Sequence, residues 1–233
     1  MDPKHLFIDE RLTGQCIYCG RFPETVEHVP SRILLDNPLP ENLPVVDACR
    51  ECNTSFSLDE EYLACLLECV AAGTTEPTEL SREKIKKSIA RNGRLKSNLE
   101  QCRRIDGNGN IWWQPDEKRV RRIIVKLARG HTAYELGELL DEDPDFFSMR
   151  AIPTMSEAEL QNFETPNDDY QLIWPEIGSR AFLRATGKSI PPKKEGHWFV
   201  VQSNRYRYWI DWQNGVEVRM MIGEYLACQI IWQ

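Results

Sequence analysis

The sequence predicts an α+β protein with a small metal-stabilised N-terminal module, a helical middle and a C-terminal antiparallel β meander. Three observations support this fold class. Two C-x-x-C pairs lie in the first quarter of the chain, apolar residues recur at helical spacing through the middle, and alternating apolar residues begin at His197. These patterns predict three segments, 1–75, 76–145 and 146–233.

Four of the eight cysteines form two C-x-x-C pairs, Cys16 with Cys19 and Cys49 with Cys52. Thiolates at this spacing suit a structural zinc, which is tetrahedral and closed to solvent. One alternative is four free thiols in a core. The other is a redox pair, which usually opens a helix after a strand and does not come in matched pairs. A zinc with four thiolate ligands has no position open to water, so it would hold loops together rather than catalyse a reaction.

Three helices are expected in the middle of the chain. A capping box, serine followed three residues later by glutamate, starts the first over 57–72. The second fits about 79–103, and a glycine-containing turn follows it. The third starts near residue 116 and continues toward residue 140, although Gly130 weakens it.

The last part of the chain changes to strand patterns. Residues 141–170 are acidic and contain several prolines, so we expect irregular structure apart from a short helix at 156–160. From His197 onward, four apolar runs separated by turn residues predict an antiparallel meander of three or four strands. Its tryptophans and tyrosines could stack on bases. Alternation along a strand buries half of them, which favours a sheet core.

Charge is strongly segregated along the chain. The net charge of −7 argues by itself against a nucleic-acid partner. However, residues 81–130 contain 15 basic and 5 acidic residues, whereas residues 1–80 contain 5 basic and 15 acidic ones. Over half of all lysines and arginines therefore lie in fifty residues, which is a pattern typical of an electrostatic contact surface.

Residues with side-chain oxygen atoms and one histidine lie between the cysteine pairs and directly after the second pair. Glu27 and His28 lie between the pairs, Asn42 follows, and Asn53 comes directly after the last cysteine. If a zinc holds the pairs together, Asn53 comes close to Glu27 and His28. Carboxylate and amide oxygens suit Mg²⁺, and a neutral imidazole can take a proton from water, which together suit phosphodiester hydrolysis. The alternatives are a surface pair that caps a turn and, for Asn42, ordinary turn chemistry. Spacing alone does not separate Asn42 from Asn37.

The order CIYCG, EHVP, ENLPVV and ACRECN over about residues 14–57 resembles the HNH endonuclease motif in its zinc-ribbon-supported ββα-metal form. The longer string through SLDEEYLACLLECV is similar to uncharacterised bacterial HNH proteins. The resemblance implies that His28 is the general base and that Asn42 braces the loop. It also implies that Glu27 and Asn53 bind a catalytic Mg²⁺ or Mn²⁺ separate from the structural zinc.

The chain departs from this pattern at three places. The third motif position is asparagine rather than histidine, and the acid before the histidine is glutamate rather than aspartate. No lysine or arginine directly follows Asn53, so phosphate contacts are expected from the basic segment instead. Solvated helix faces, or pairing with the acidic residues 135–145, are the alternative. The candidate nucleic-acid contacts are Lys84, Lys86, Lys87, Arg91, Arg94, Lys96, Arg103, Arg104, Arg119, Arg121, Arg122, Lys126 and Arg129.

The predicted function is a metal-dependent endonuclease that hydrolyses phosphodiester bonds of DNA. An RNase with the same site and a non-catalytic zinc-binding module that recognises nucleic acid or protein are the alternatives. We expect a cytoplasmic protein without a membrane partner, because the first residues contain no apolar run of signal-peptide length and no stretch is long enough to span a bilayer. The patterns do not indicate an oligomeric state or a target sequence.

Overall fold

The structure is a computed structural model that describes residues 14–166 and 174–233. Within these residues the chain is a mixed α+β protein with six α-helices and a six-stranded antiparallel sheet toward the C-terminal end. The predicted fold class is confirmed at this level. None of the described helices is both long enough and apolar enough to cross a membrane.

The chain divides into two compact units. The first takes the described residues up to Thr54 together with those from Val125 onward, and the second is Ser55–Ile124. The divisions after Thr54 and after Ile124 both fall within continuous helices.

A β-hairpin and the start of a long helix form the N-terminal part of the first unit. Strand β1 (Thr25–His28) pairs antiparallel with strand β2 (Val45–Ala48). Helix α1 (Arg50–Ala72) begins directly after the next residue. It ends at Gly73, as predicted, where a φ of +70° suits glycine.

Helix α1 begins seven residues before the predicted start at residue 57. The carboxylate of Glu24 accepts a hydrogen bond from the backbone N–H of Arg50 at 3.1 Å, which satisfies one free donor of the first turn. A negative charge at this position also suits the helix dipole. The serine–glutamate pair therefore lies inside the helix and does not start it.

In the second unit, the single helix predicted over 79–103 is two helices. Helix α2 (Glu83–Arg91) ends at Asn92, and helix α3 (Gly93–Cys102) follows. The break has a local cause, because the side chain of Asn92 accepts a hydrogen bond from the backbone N–H of Leu95 at 3.0 Å and so caps α3.

A short hairpin follows α3. Its strands are β3 (Arg103–Ile105) and β4 (Ile111–Trp113), and the predicted turn joins them. The strands themselves were not predicted, since three residues are too few to show alternation. The large side chains buried in this unit are Tyr62, Leu63, Ile85, Ile89, Leu99, Ile123 and Ile124.

Helix α4 (Glu117–Leu136) begins after Asp116, whose carboxylate accepts a hydrogen bond from the backbone N–H of Lys118 at 3.1 Å. It continues through Gly130 for a packing reason. A Cβ added there would lie 2.8 Å from a methyl carbon of Val29. The glycine therefore lets α4 approach the residue after β1 closely.

The C-terminal sheet contains six strands in the order β5-β10-β9-β8-β7-β6, all antiparallel. Strands β7 to β10 form the predicted meander, and two strands that were not predicted extend it at its edges. The bounds are β5 (Phe146–Ala151), β6 (Lys193–Glu195), β7 (Trp198–Gln202), β8 (Tyr206–Asp211), β9 (Val216–Ile222) and β10 (Leu226–Trp232).

Two short helices accompany this sheet. Helix α5 (Glu157–Glu164) starts with the capping box of Ser156 and Glu159, close to the predicted helix at 156–160. Helix α6 (Arg180–Ala185) was not predicted. Buried side chains of the sheet confirm that its aromatic residues form a core: Trp198, Tyr206, Tyr208, Trp209 and Trp232.

Polar groups inside the first unit join α4 to the sheet. His131 is fully buried, stacks on Tyr208 with ring centroids 3.7 Å apart, and shares a 2.8 Å hydrogen bond between its Nε2 atom and the Tyr206 hydroxyl. Burial lowers the pKa of His131 to about 3, so the ring is neutral at physiological pH. His131 is therefore a core residue.

Candidate functional site

The sulfur atoms of Cys16, Cys19, Cys49 and Cys52 all lie within 4.8 Å of one another. Cys19 and Cys49, one from each pair, have their sulfur atoms 3.7 Å apart. Tetrahedral bonds of about 2.3 Å to zinc require sulfur atoms about 3.8 Å apart, so the donor set fits such an ion. The cluster could hold a structural metal such as zinc, which agrees with the predicted ligand set.

Each half of the cluster has a backbone geometry suited to holding a metal. In the first pair, the backbone N–H of Gly20 donates to the Cys16 carbonyl at 2.8 Å, and Gly20 has a φ of +71°. In the second, the backbone N–H of Cys52 points at the Cys49 sulfur at 3.4 Å. The tight turns therefore direct both thiols of each pair to the same side.

Charge near Cys19 favours the thiolate that a metal requires. The backbone amide and then the guanidinium of Arg21 lower the pKa of Cys19 to about 6. The same guanidinium forms a 2.7 Å ion pair with Glu51 in the first turn of α1. Burial has the opposite effect on Cys16 and raises its pKa. The electrostatic contact of Arg21 thus joins the first cysteine turn to the helix that follows the second.

Asn53 lies against strand β1. Its side-chain nitrogen donates to the Thr25 hydroxyl at 3.0 Å and points at the Val26 carbonyl at 3.4 Å. The backbone N–H of Asn53 donates to the carbonyl of Cys49, so the residue lies one turn from the cysteine cluster. Its side-chain oxygen accepts no hydrogen bond from the described residues, and this oxygen is the atom that the predicted ion would need.

Glu27 has a different environment from the one expected. Its carboxylate forms a 2.8 Å ion pair with the ammonium group of Lys126, and the two side chains are only 8% and 1% exposed. Lys126 also donates to the Ser31 hydroxyl at 2.9 Å. The predicted metal ligand is therefore bonded to a buried cation. Lys126, expected to contact phosphate, is too deeply buried for that contact.

His28 is half-buried at the end of β1, where it pairs with Val45. Successive side chains of a strand point to opposite faces, so His28 and Glu27 lie on different faces of β1. The expected cluster of Glu27, His28 and Asn53 is thus divided by the strand. Among the residues that the structure describes, the four cysteines are the one group of three or more His, Cys, Asp or Glu side chains that could hold a metal ion.

Asn42 lies exposed in a turn of the loop between β1 and β2, and its side chain makes no hydrogen bond to a described residue. The expected bracing comes instead from the sheet. Gln202 bonds both backbone groups of Asp36, accepting at 2.8 Å and donating at 3.1 Å, and Arg205 pairs with the Asp36 carboxylate. These residues are too far apart in the sequence for any local pattern to have indicated the contact.

The comparisons with known proteins leave the family open. No protein-family model, curated protein or solved structure matches this chain. The candidate site therefore depends on the residues and their geometry.

The basic residues of α4 are mostly bound within the protein. Arg119 and Arg122 both form ion pairs with Asp59, at 2.6 and 2.8 Å. Arg129 donates to the carbonyls of residues 141 and 142, and Arg121 is half-buried. On α2, Lys86 pairs with Glu83 at 2.7 Å, whereas Lys87 and Arg91 are exposed. The helices therefore differ in how many cations remain available to a partner.

We expect Asp59→Asn to destabilise the second unit by about 1–3 kcal/mol, because it weakens charged hydrogen bonds to two arginines. Partial burial raises the pKa of Asp59, but the hydrogen bonds from Arg119 and Arg122 outweigh it and the pKa is lowered. A lowered folded-state pKa contributes stability above the unfolded value of about 3.9, and this contribution is lost as the pH falls through the folded value.

Urea unfolding of wild type and Asp59→Asn at a series of pH values checks this expectation. The difference in free energy of unfolding should be constant near neutral pH and shrink under acid conditions. A difference that does not change with pH would show that the ion pairs contribute nothing. Glu79→Gln, at an exposed glutamate of the same unit, is the matched control.

Proposed function

We propose that this protein is a metal-dependent endonuclease of the HNH type that hydrolyses phosphodiester bonds of DNA. In this proposal the four cysteines hold a structural zinc, His28 is the general base, and one Mg²⁺ or Mn²⁺ ion binds the scissile phosphate. The observation that carries it is the contact between Asn53 and β1. The cysteine cluster holds the start of α1 against the strand that ends in His28.

The position of His28 supports the role of a base. The side chain is half-buried at the end of a strand, so water can reach it while the strand restricts its motion. A neutral imidazole nitrogen takes the proton from a water molecule as the water oxygen attacks phosphorus and the bond from phosphorus to the leaving sugar oxygen breaks.

The two residues proposed to bind the divalent ion differ in how well they suit that role. The side-chain oxygen of Asn53 suits the role as it stands. Glu27 lies on the other face of β1 from His28, so it fits only after its carboxylate turns and exchanges the Lys126 ammonium for the ion. The ion, when bound, supplies a Lewis acid for a phosphate oxygen. Lys126 has a positioning role in this proposal, since it bonds Glu27 and Ser31 on either side of His28.

A second candidate function is a non-catalytic zinc-binding module that recognises nucleic acid. The buried pair of Glu27 and Lys126 favours it, because a neutralised and inaccessible carboxylate does not attract a divalent ion. The two candidates share the zinc cluster and differ in whether the protein turns over substrate.

We expect purified protein to nick supercoiled plasmid with Mg²⁺ or Mn²⁺, and His28→Ala to reduce the rate by about 10²–10⁴-fold, the usual contribution of a general base. His197→Ala, at a second half-buried histidine outside the site, is the control and should cleave normally. Zinc content and the thermal midpoint of His28→Ala should match wild type, which excludes misfolding as the cause.

Cleavage by His28→Ala at the wild-type rate would overturn the catalytic assignment. Absence of cleavage by the wild type with either ion would leave the non-catalytic module as the function. An RNA substrate of the same sequence, assayed in parallel, tests the preference for DNA.

A further inference from the structure

Two classes of cation occupy helices α2 and α3. Lys86 pairs with Glu83 at 2.7 Å, and Lys96 pairs with Glu76 at 2.9 Å. Four other cations are exposed and form neither a hydrogen bond nor a salt bridge with any residue that the structure describes. This set, called the basic stripe, is Lys84, Lys87, Arg91 and Arg94.

The stripe lies on the side of the helices away from the core. Ile85 and Ile89 are the buried residues of α2. At 3.6 residues per turn, Lys84, Lys87 and Arg91 fall within an arc of about 60° on the exposed side and extend over about 10 Å. Arg94 follows in the first turn of α3 and is also exposed. The three cations of α2 are therefore one continuous row, and Arg94 lies three residues beyond it, after the break at Asn92.

The stripe opposes helix stability with little relief from nearby acids. Like charges three or four residues apart on a helix repel each other. The carboxylate of Glu83 is bonded to Lys86, whose hydrogen bond is the main cause of its lowered pKa, and Lys87 contributes only a weaker charge interaction. An anionic polymer laid along the stripe would remove the repulsion that remains among its cations.

Composition indicates which part of the polymer the stripe contacts. Residues 83–102 contain no aromatic side chain, so this surface offers no platform on which unpaired bases could stack. Cations without aromatic residues bind phosphates, which a duplex presents on its outside while its bases remain paired. Double-stranded DNA is the polymer with this chemistry that the proposed function supplies.

We propose that the basic stripe binds the phosphate backbone of double-stranded DNA independently of base sequence. This inference rests on the proposed function for the identity of the polymer, and it assigns substrate affinity to residues outside the hydrolytic site. Neutralising the stripe raises KM for cleavage and leaves kcat unchanged, because the stripe does not touch the reacting atoms.

The test compares two variants with the same change in net charge on the same two helices. Lys87→Gln/Arg91→Gln removes stripe cations, and Lys86→Gln/Lys96→Gln removes cations that have carboxylate partners. Binding to a duplex of about 20 base pairs is measured by fluorescence anisotropy from about 50 to 200 mM salt, without added divalent ion, in a His28→Ala background.

Each phosphate contact contributes about 0.9 to the slope of log affinity against log salt, so the stripe variant should lose about 2 from the slope and about tenfold in affinity. The control variant should stay within about twofold of the parent. Equal losses in both variants would overturn the inference, since affinity would then follow net charge alone. Tighter binding to duplex RNA, or to vesicles with anionic lipids, would overturn the assignment to DNA.

The two proposals fail in different ways. A protein that binds DNA through the stripe but never cleaves it retains the inference and loses the nuclease. A protein that cleaves DNA with a KM unaffected by Lys87→Gln/Arg91→Gln retains the nuclease and loses the inference.

Discussion

Cys49→Ala is expected to release the metal and unfold the N-terminal part of the first unit. The Cys49 thiol is buried against Cys16 and Ala48, and few other apolar side chains surround the cluster. Structural zinc contributes about 10–16 kcal/mol to the folding of small zinc modules, and one missing thiolate forfeits most of it. Elemental analysis and thermal unfolding of the purified variant measure the two effects.

The matched control is Cys69→Ala, a fully buried cysteine on α1 outside the cluster. It should keep one zinc per chain and lose only about 1 kcal/mol, as is typical of a small core truncation. If Cys49→Ala retains zinc and unfolds at the wild-type temperature, the cluster is not what holds the hairpin and α1 together.

Lys126→Met is expected to destabilise the first unit by about 3–5 kcal/mol, because it leaves the buried carboxylate of Glu27 without its cation. Glu27→Gln/Lys126→Met removes both charges and should recover most of that loss, since a buried pair replaced as a whole is often nearly neutral. Guanidinium unfolding of Lys126→Met, Glu27→Gln and the double variant gives the coupling between the side chains.

Lys118→Met, an exposed lysine in the first turn of α4, is the control and should change the free energy of unfolding by less than about 0.5 kcal/mol. Equal effects of Lys118→Met and Lys126→Met would contradict the buried pair. Manganese affinity provides a second readout. Lys126→Met should bind Mn²⁺ more tightly than wild type if Glu27 is a latent metal ligand, as the endonuclease proposal requires.

The local patterns of the sequence were sufficient for the metal cluster and for the meander. The cysteine spacing directs both thiols of each C-x-x-C turn to one side, and the hairpin of β1 and β2 brings the two pairs together. Strands β7 to β10 were predictable because two-residue periodicity and turn residues are both local. Edge strand β5 was not, since its pairing partner β10 lies far along the chain. Edge strand β6 pairs with the neighbouring β7, but its three residues are too few to show alternation.

The predicted helix boundaries were wrong where a hydrogen bond to a single side chain decides where the helix begins or breaks. Glu24 moves the start of α1 forward to Arg50, and Asn92 breaks the predicted second helix by capping α3. Neither effect is visible in the periodicity of apolar residues. Gly130 is similar, because only the position of Val29 reveals why a glycine lies inside α4.

The sequence indicated several residues of the candidate site but not which residues they contact. Asn53 lies against β1 as the clamp of cysteines suggested, but Glu27 faces the opposite side of the strand from His28. Lys126, the partner of Glu27, lies 99 residues away within the apolar run IIVKLA. A lysine inside such a run was the one available signal that this cation is buried and paired.

X-ray absorption at the zinc edge of the purified native protein tests the central claim most directly. We predict one zinc per chain with four sulfur neighbours at about 2.3 Å and no nitrogen or oxygen neighbour. A zinc with an oxygen or nitrogen ligand, or a protein purified without any transition metal, would contradict a closed cluster that supports the candidate hydrolytic site.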